Sequence, residues 1–237
     1  MLTRLLAKPK PPESAVKTAL IRALGGLVAF LLGCHLTPMR QISIYTTTLT
    51  AGSLKPRESR VIAALLLDRV SDAQWKDSIE RQNVLQARVP ASAMVVARLL
   101  RNRLECFDAS LWAMVRDGVK DLVLQSLLAC AVKHSALLRD FMDLSLREEY
   151  KTVHSSLRTK VWDGYLEGCA SRDSAVIDWS DNTKNRLRST VFQILTQAGY
   201  LSDTPAREIK PVRILPELVA YLQLKGEKHL LRCLQLP

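Results

Sequence analysis

Residues 121–151, DLVLQSLLACAVKHSALLRDFMDLSLREEYK, are apolar over most of a helix's circumference. A helix that is hydrophobic all round has to be surrounded, so this segment is expected to form the central helix pair of a core that other elements close over. A chain of 237 residues is long enough to do so, as one large domain or two small ones. Its 48% hydrophobic and 24% charged content is that of an ordinary globular protein. The central segment is no membrane span, because Lys133 and His134 interrupt it and Asp121 bounds it.

Around this core the sequence predicts a series of capped helices. Pro56 suits the first turn of a helix that buries Val61, Ile62, Leu65 and Leu66. Ser71 and Gln74 have capping-box spacing ahead of Trp75 and Ile79. Residues 155–170 place Leu157, Val161, Trp162, Tyr165 and Leu166 on one face, with Arg158 and Lys160 outside. Residues 42–50, ISIYTTTLT, alternate with β-branched residues and read as a short strand or an extended lead-in.

The predicted helix opened by Pro90 carries the most conspicuous charge. From residue 81 to residue 104 the chain holds Arg81, Arg88, Arg98, Arg101 and Arg103, with no carboxylate. Val96, Ala97, Leu100, Leu104 and Phe107 share one side, Arg98 and Arg101 the other, and Arg103 falls at the margin. A plain solvated face is one account, with Arg101 and Glu105 paired at i, i+4. A phosphate-tracking surface is the other, since guanidinium forks suit phosphate. Lys55, Arg57 and Arg60, near the start of the Pro56 helix, are further candidates. The whole chain has 34 Lys+Arg against 23 Asp+Glu, a formal charge of +11, which favours a polyanionic partner.

The last third has a different order. Ser180 is an N-cap and Gly199 a terminator for a helix whose buried stripe is Leu187, Val191, Ile194, Leu195 and Ala198. Its opposite face carries Asn185, Arg186, Ser189, Thr190, Gln193, Thr196 and Gln197: amides, hydroxyls and one guanidinium, the groups that read base edges in a major groove. Two short arms around SDTPARE follow, then a helix opened by Pro216. Helix, small β-hairpin, then further structure is a winged-helix-like order, with Arg207, Lys210 and Arg213 in the wing reaching phosphates. Solvation alone would also account for those three.

Residues 1–38 stand apart. They combine basic residues with a 14-residue apolar run, ALGGLVAFLLGCHL, shorter than a spanning helix needs. They are expected to be a misassigned start ahead of Met39, a packed helix or an interfacial anchor. The domain division expected is therefore an extension at 1–38, a helical domain at 39–175 and a winged-helix-like domain at 176–237.

Reactive chemistry is sparse. The five cysteines are widely spaced with no Cys-x-x-Cys pair, and the four histidines lack a second histidine at ligand spacing. Buried free thiols, a cytoplasmic location, no metal and no cofactor are expected. Phosphate-binding glycine loops, nucleophile elbows and zincin motifs are missing, and Glu148 and Glu149 point about 100° apart on a helix. A binding protein without catalytic residues or a small-molecule substrate is the expectation.

Several segments carry a resemblance: YTTTLTAGSLKPRESRVIAALLL, NVLQAR, ARLLRNRLE, LWAMVRDG, LLACAVKHSALLRDFMDL and WDGYLEGCASRD. From about residue 45 to residue 234 the chain resembles the BrxA family of bacterial BREX phage-resistance loci, a family that also carries an inner-membrane label. The resemblance implies a mainly α, NusB-like helical bundle, and association with DNA within the defence machinery. It implies no catalytic residues. Combined with the charge pattern, double-stranded DNA is the expected partner, with other BREX proteins a further one. Candidate contacts are Lys55, Arg57, Arg60, Arg88, Arg98, Arg101, Arg103, Asn185, Arg186, Ser189, Gln193, Arg207, Lys210 and Arg213. RNA binding and a scaffold role toward other defence proteins are the alternatives.

Overall fold

Local signals set most of the helix starts. Proline stands in the first turn of α1 (Pro56–Leu67), α3 (Pro90–Leu104) and α9 (Pro216–Leu224), where its missing N–H removes no helical hydrogen bond. Ser71 and Gln74 form the expected reciprocal capping box at the start of α2 (Asp72–Lys76), which runs on through a π-helical turn, Asp77–Arg81. Asp108 caps α4 (Ala109–Asp117) by accepting from the Ser110 N–H. Ser135 separates α5 (Lys120–His134) from α6 (Ala136–Asp140) and caps the latter. A π-helical turn (Phe141–Leu146) and a last turn (Arg147–Lys151) extend α6. Then follow α7 (Thr159–Arg172), α8 (Asp181–Gln197) capped by Ser180, and, after α9, α10 (Lys228–Leu234). This is a computed structural model, and it describes residues 43–152 and 156–236. The expectations for residues 1–38 lie outside the described residues.

Gly199 ends α8 in the left-handed region, φ +85°. The Tyr200 N–H reaches back to the Leu195 carbonyl at 2.9 Å and the Gly199 N–H to the Thr196 carbonyl at 3.1 Å. These two bonds are the Schellman pattern, and a side chain at Gly199 would strain it.

The central pair is where the hydrophobic pattern puts it. From Gln125 to Val132 every residue of α5 is buried, and the chain then bends by 109° into α6. No single helix among the described residues is long and apolar enough to cross a membrane. Phe141 sits at the centre of an aromatic cluster, 5.2 Å from Trp162, 5.1 Å from Tyr165 and 6.3 Å from Phe192. That cluster joins α6, α7 and α8 across residue 175. Buried Gln125 joins the same two segments: its amide donates to the Arg213 carbonyl at 3.0 Å and accepts from the Leu215 N–H at 2.8 Å. One apolar core thus runs through both stretches.

Two expectations change. Residues 42–50 hold no strand where described: Tyr45 is buried and Thr48–Ala51 form one 3-10 turn. The arms flanking SDTPARE do not form a β-hairpin ladder. Leu201 and Ile209 make one isolated antiparallel bridge, and Glu208 makes another with Ser156. The Ser202 hydroxyl accepts the Glu208 N–H, and the Tyr200 N–H is committed to the Leu195 carbonyl of the helix cap, so two ladder donors are taken and the pairing stops after one bridge. The described residues are helical bundle without a sheet.

Candidate nucleic-acid interface

The predicted polar face of α8 is exposed at four of its seven positions and half-buried at Thr190, Thr196 and Gln197. Asn185, Arg186, Ser189 and Gln193 face solvent, while Leu187, Val191, Ile194, Leu195 and Ala198 are buried. Phe192 is buried as well, beside the predicted stripe.

That face forms one wall of a groove of about 450 Å³. The opposite wall is the loop before α1: Thr50, Gly52, Ser53 and Lys55. Among the described residues, no carboxylate lines it. Lys55 holds a partly exposed ion pair with Glu58 at 3.6 Å, which is worth little, and Arg186 makes no ion pair among the described residues. Lys55 has φ +47°, ψ +63°, a left-handed conformation that costs a non-glycine residue roughly 1–2 kcal/mol. Its neighbours hold it there. The Gln197 side chain accepts the Leu54 N–H at 3.0 Å, and Ser59 donates from its hydroxyl to the Leu54 carbonyl at 2.9 Å.

Arg103 is the strongest of these supports, and it is not a phosphate contact. It turns inward from α3, is 3% exposed, and donates to the Ser53 carbonyl at 2.7 Å and the Gly52 carbonyl at 3.0 Å. Burial lowers its pKa to about 10, so the guanidinium is still charged at neutral pH. A residue at the margin of a helical wheel can point either way. Here two loop carbonyls, about 50 positions earlier in the chain, decide.

Arg60 is likewise removed from the candidate surface. Its two terminal nitrogens donate to the carbonyls of Arg116, at 2.6 Å, and Gly118, at 2.7 Å. They cap the end of α4, where unpaired carbonyls carry partial negative charge. Arg101 is half-satisfied: it bonds Glu105 at 2.7 Å, approaches Asp72 at 3.6 Å and lies 4.8 Å from the Trp75 ring. The hydrogen bond to Glu105 leads the causes that raise its pKa. Arg98 is exposed beside Trp75 and Arg101 in a shallow basin that also holds Asp72 and Glu80. Arg57 lines a separate hollow with Val84, Leu85 and Gln86.

Arg207, with φ +48°, lies 4.9 Å over the Phe192 ring. Arg88, Lys210 and Arg213 are exposed and make no ion pair among the described residues. The structure therefore brings Lys55, Asn185, Arg186, Ser189 and Gln193 together. Thr50, Gly52, Ser53 and Thr190 complete the groove and were not among the candidates, although Thr190 is on the predicted face.

Sequence spacing misses one cluster of metal-ligand types. Asp143, His229 and Cys233 offer donor atoms within 4.8 Å of one another. Asp143 is already engaged by Arg232 at 3.0 Å and Arg147 at 3.3 Å, and desolvation pushes the Cys233 thiol up to about 11, away from the thiolate a metal needs. The cluster is an ion-pair knot tying α6 to α10.

The class of protein that the fold defines is a helical bundle with a polar groove along one long helix. The family model BrxA matches residues 43–226, and the chain belongs to that family. It is 44% identical over 191 residues to a BREX protein BrxA of Paramagnetospirillum magneticum, covering 81% of this chain and 96% of the relative. It is 29% identical to a BREX protein BrxA of Escherichia coli O9:H4, over 79% of this chain and 88% of that one. A crystal structure of an uncharacterized protein from Magnetospirillum magneticum superposes with a TM-score of 0.76 at 42% identity, covering 82% of this chain and all of the other.

Proposed function

We propose that this protein is a non-enzymatic, cytoplasmic accessory subunit of a BREX phage-defence system that binds double-stranded DNA through the groove between α8 and the Lys55 loop. The observation that carries the reading is the juxtaposition itself: two cationic side chains and a row of neutral hydrogen-bonding groups in one groove that no carboxylate of the described residues lines. Lys55 and Arg186 are assigned to phosphates, which position without specifying. Asn185 and Gln193 are assigned to base edges, where a bidentate amide pairs with adenine. Buried Arg103 preorganises the loop that carries Lys55. Arg207, Lys210 and Arg213 supply flanking backbone charge in the role a wing would have, without a β ladder.

Duplex is favoured over single-stranded RNA by one observation. Single-strand recognition stacks bases on exposed aromatics, and the large hydrophobic residues exposed among the described residues are all aliphatic. Fluorescence anisotropy of the full chain with a labelled duplex of about 30 base pairs, its RNA counterpart and a single strand, across a salt series, tests the reading. DNA duplex binding that weakens steeply with salt is expected; no duplex binding at low salt overturns it.

A further inference from the structure

A second groove, of about 530 Å³, lies on the other flank of the N-terminal half of α8. Its floor is one stripe of α7, Trp162, Leu166 and Ala170 at successive i+4 steps, closed by Val176 and Ile177 of the turn that leads to α8. Ile177 is 64% exposed, which leaves a large aliphatic side chain in water beside an apolar floor. Trp162 itself is buried, and its indole N–H has no acceptor among the described residues, an unsatisfied donor that costs roughly 1–3 kcal/mol.

The rim has the opposite charge from the rest of the molecule. Asp163 and Glu167, one helical turn apart, and Asp181 at the start of α8 surround it, against a single cation, Lys184. All three carboxylates belong to exposed residues and none forms an ion pair among the described residues. On a chain of formal charge +11, three unpaired acids around an apolar floor form a local anionic site. Asn185 lines both grooves, but phosphates are repelled by this acidic rim, so it is no extension of the DNA groove. Nor do its features favour an acidic occupant.

We infer that this groove is the docking site for a cationic amphipathic helix of another protein. The floor spans two turns of α7, the length over which a docked helix inserts apolar anchors at i, i+3 and i+4. Lysine or arginine one turn apart on that helix meets Asp163 and Glu167, whose own Cβ atoms lie about 5–6 Å apart by helix geometry. Charge selects the partner and the apolar floor holds it. This inference stands independently of DNA binding.

The test places a photo-crosslinker in the groove by an Ile177→p-benzoylphenylalanine substitution in the full chain, expressed in the native host, with mass spectrometry of the crosslinked peptides. Leu224, 83% exposed on α9, carries the same crosslinker as the control position. The expected product joins residue 177 to a lysine- or arginine-bearing amphipathic segment of a different protein, at a yield that Asp163→Lys/Glu167→Lys lowers about tenfold or more. Both exposed positions tolerate the inversion without loss of folding, checked by an unchanged thermal melt. No product above the control, a product with nucleic acid, with a second copy of this chain or with an acidic segment, or a yield that the double inversion leaves unchanged, overturns the inference.

Discussion

The two helices richest in polar side chains at candidate positions, α3 and α8, use them in opposite ways. Along α3, Arg103 is folded into the core against two loop carbonyls and Arg101 is partly engaged by Glu105 and Asp72, leaving Arg98. Along α8, Arg186 and the side chains of Asn185, Ser189 and Gln193 have solvent as their partner. Charge density in a sequence counts side chains, whereas a binding surface depends on hydrogen-bonding capacity that the fold has left unoccupied. By that measure the helix with fewer arginines at its candidate positions is the stronger candidate. The two are also connected, because Arg103 of α3 holds the loop that faces α8.

The largest effect expected from breaking this contrast is on stability. Arg103→Ala strands the Gly52 and Ser53 carbonyls and empties a buried site, and each charge-assisted hydrogen bond contributes about 1.5–3 kcal/mol. A loss of about 3 kcal/mol or more in urea unfolding is expected, whereas Arg101→Ala should cost under about 1 kcal/mol, since its ion pairs are surface pairs. Equal costs for the two would mean that Arg103 is not the structural member.

Binding should show the reverse ranking. Lys55→Glu/Arg186→Glu is expected to weaken duplex affinity about 100-fold at low salt and to reduce the salt slope by about 2, roughly one for each phosphate that is no longer neutralised. Arg98→Glu/Arg101→Glu, which reverses as many charges, should change affinity by less than about threefold at about 0.15 M salt, where charges beyond a Debye length are screened. Folding should survive in both pairs by circular dichroism. If the α3 pair proved the more damaging, the groove assignment would fall. Asn185→Ala/Gln193→Ala sharpens the point further: affinity for random duplex should hold, while any preference among sequences should shrink by about 1–3 kcal/mol per bidentate pairing.

Much of this architecture is legible in the sequence because its signals are local. Proline at 56, 90 and 216, the Ser71–Gln74 box, Ser180 and Gly199 each mark a helix end within a few residues of itself, and the periodic stripes of α7 and α8 are buried as their spacing dictates. The α8 wall of the groove is readable for the same reason. The other wall is not, since nothing local to Lys55 announces a left-handed backbone or the side chains of Gln197 and Arg103 that hold it. Arg60 misleads similarly: its acceptors are carbonyls at a helix end, and carbonyls have no sequence signature. The hairpin fails for a reason that is local but easily passed over, a serine hydroxyl taking one donor a ladder would use and the cap of α8 taking another, the Tyr200 N–H.

The smallest expected effect concerns pH, and it separates the two helices once more. His134, half-buried near Arg103, has its pKa lowered, first by desolvation and then by the arginine's charge. Its ring Nδ1 is buried without a partner. The folded state therefore declines a proton that the unfolded chain accepts, at an ordinary histidine pKa of about 6.5. The number bound in the unfolded state exceeds that in the folded state below this pH, so stability falls as pH drops from about 7 toward about 5.5 and is restored above it. His134→Gln should flatten that segment of a urea-stability profile without altering its value at about pH 8 by more than about 1 kcal/mol. Among the described residues no histidine or carboxylate lines the α8 groove, so duplex affinity between about pH 6 and pH 8 should stay level in both forms. A binding curve that tracked the stability curve would place the DNA contact beside His134 and α3 instead.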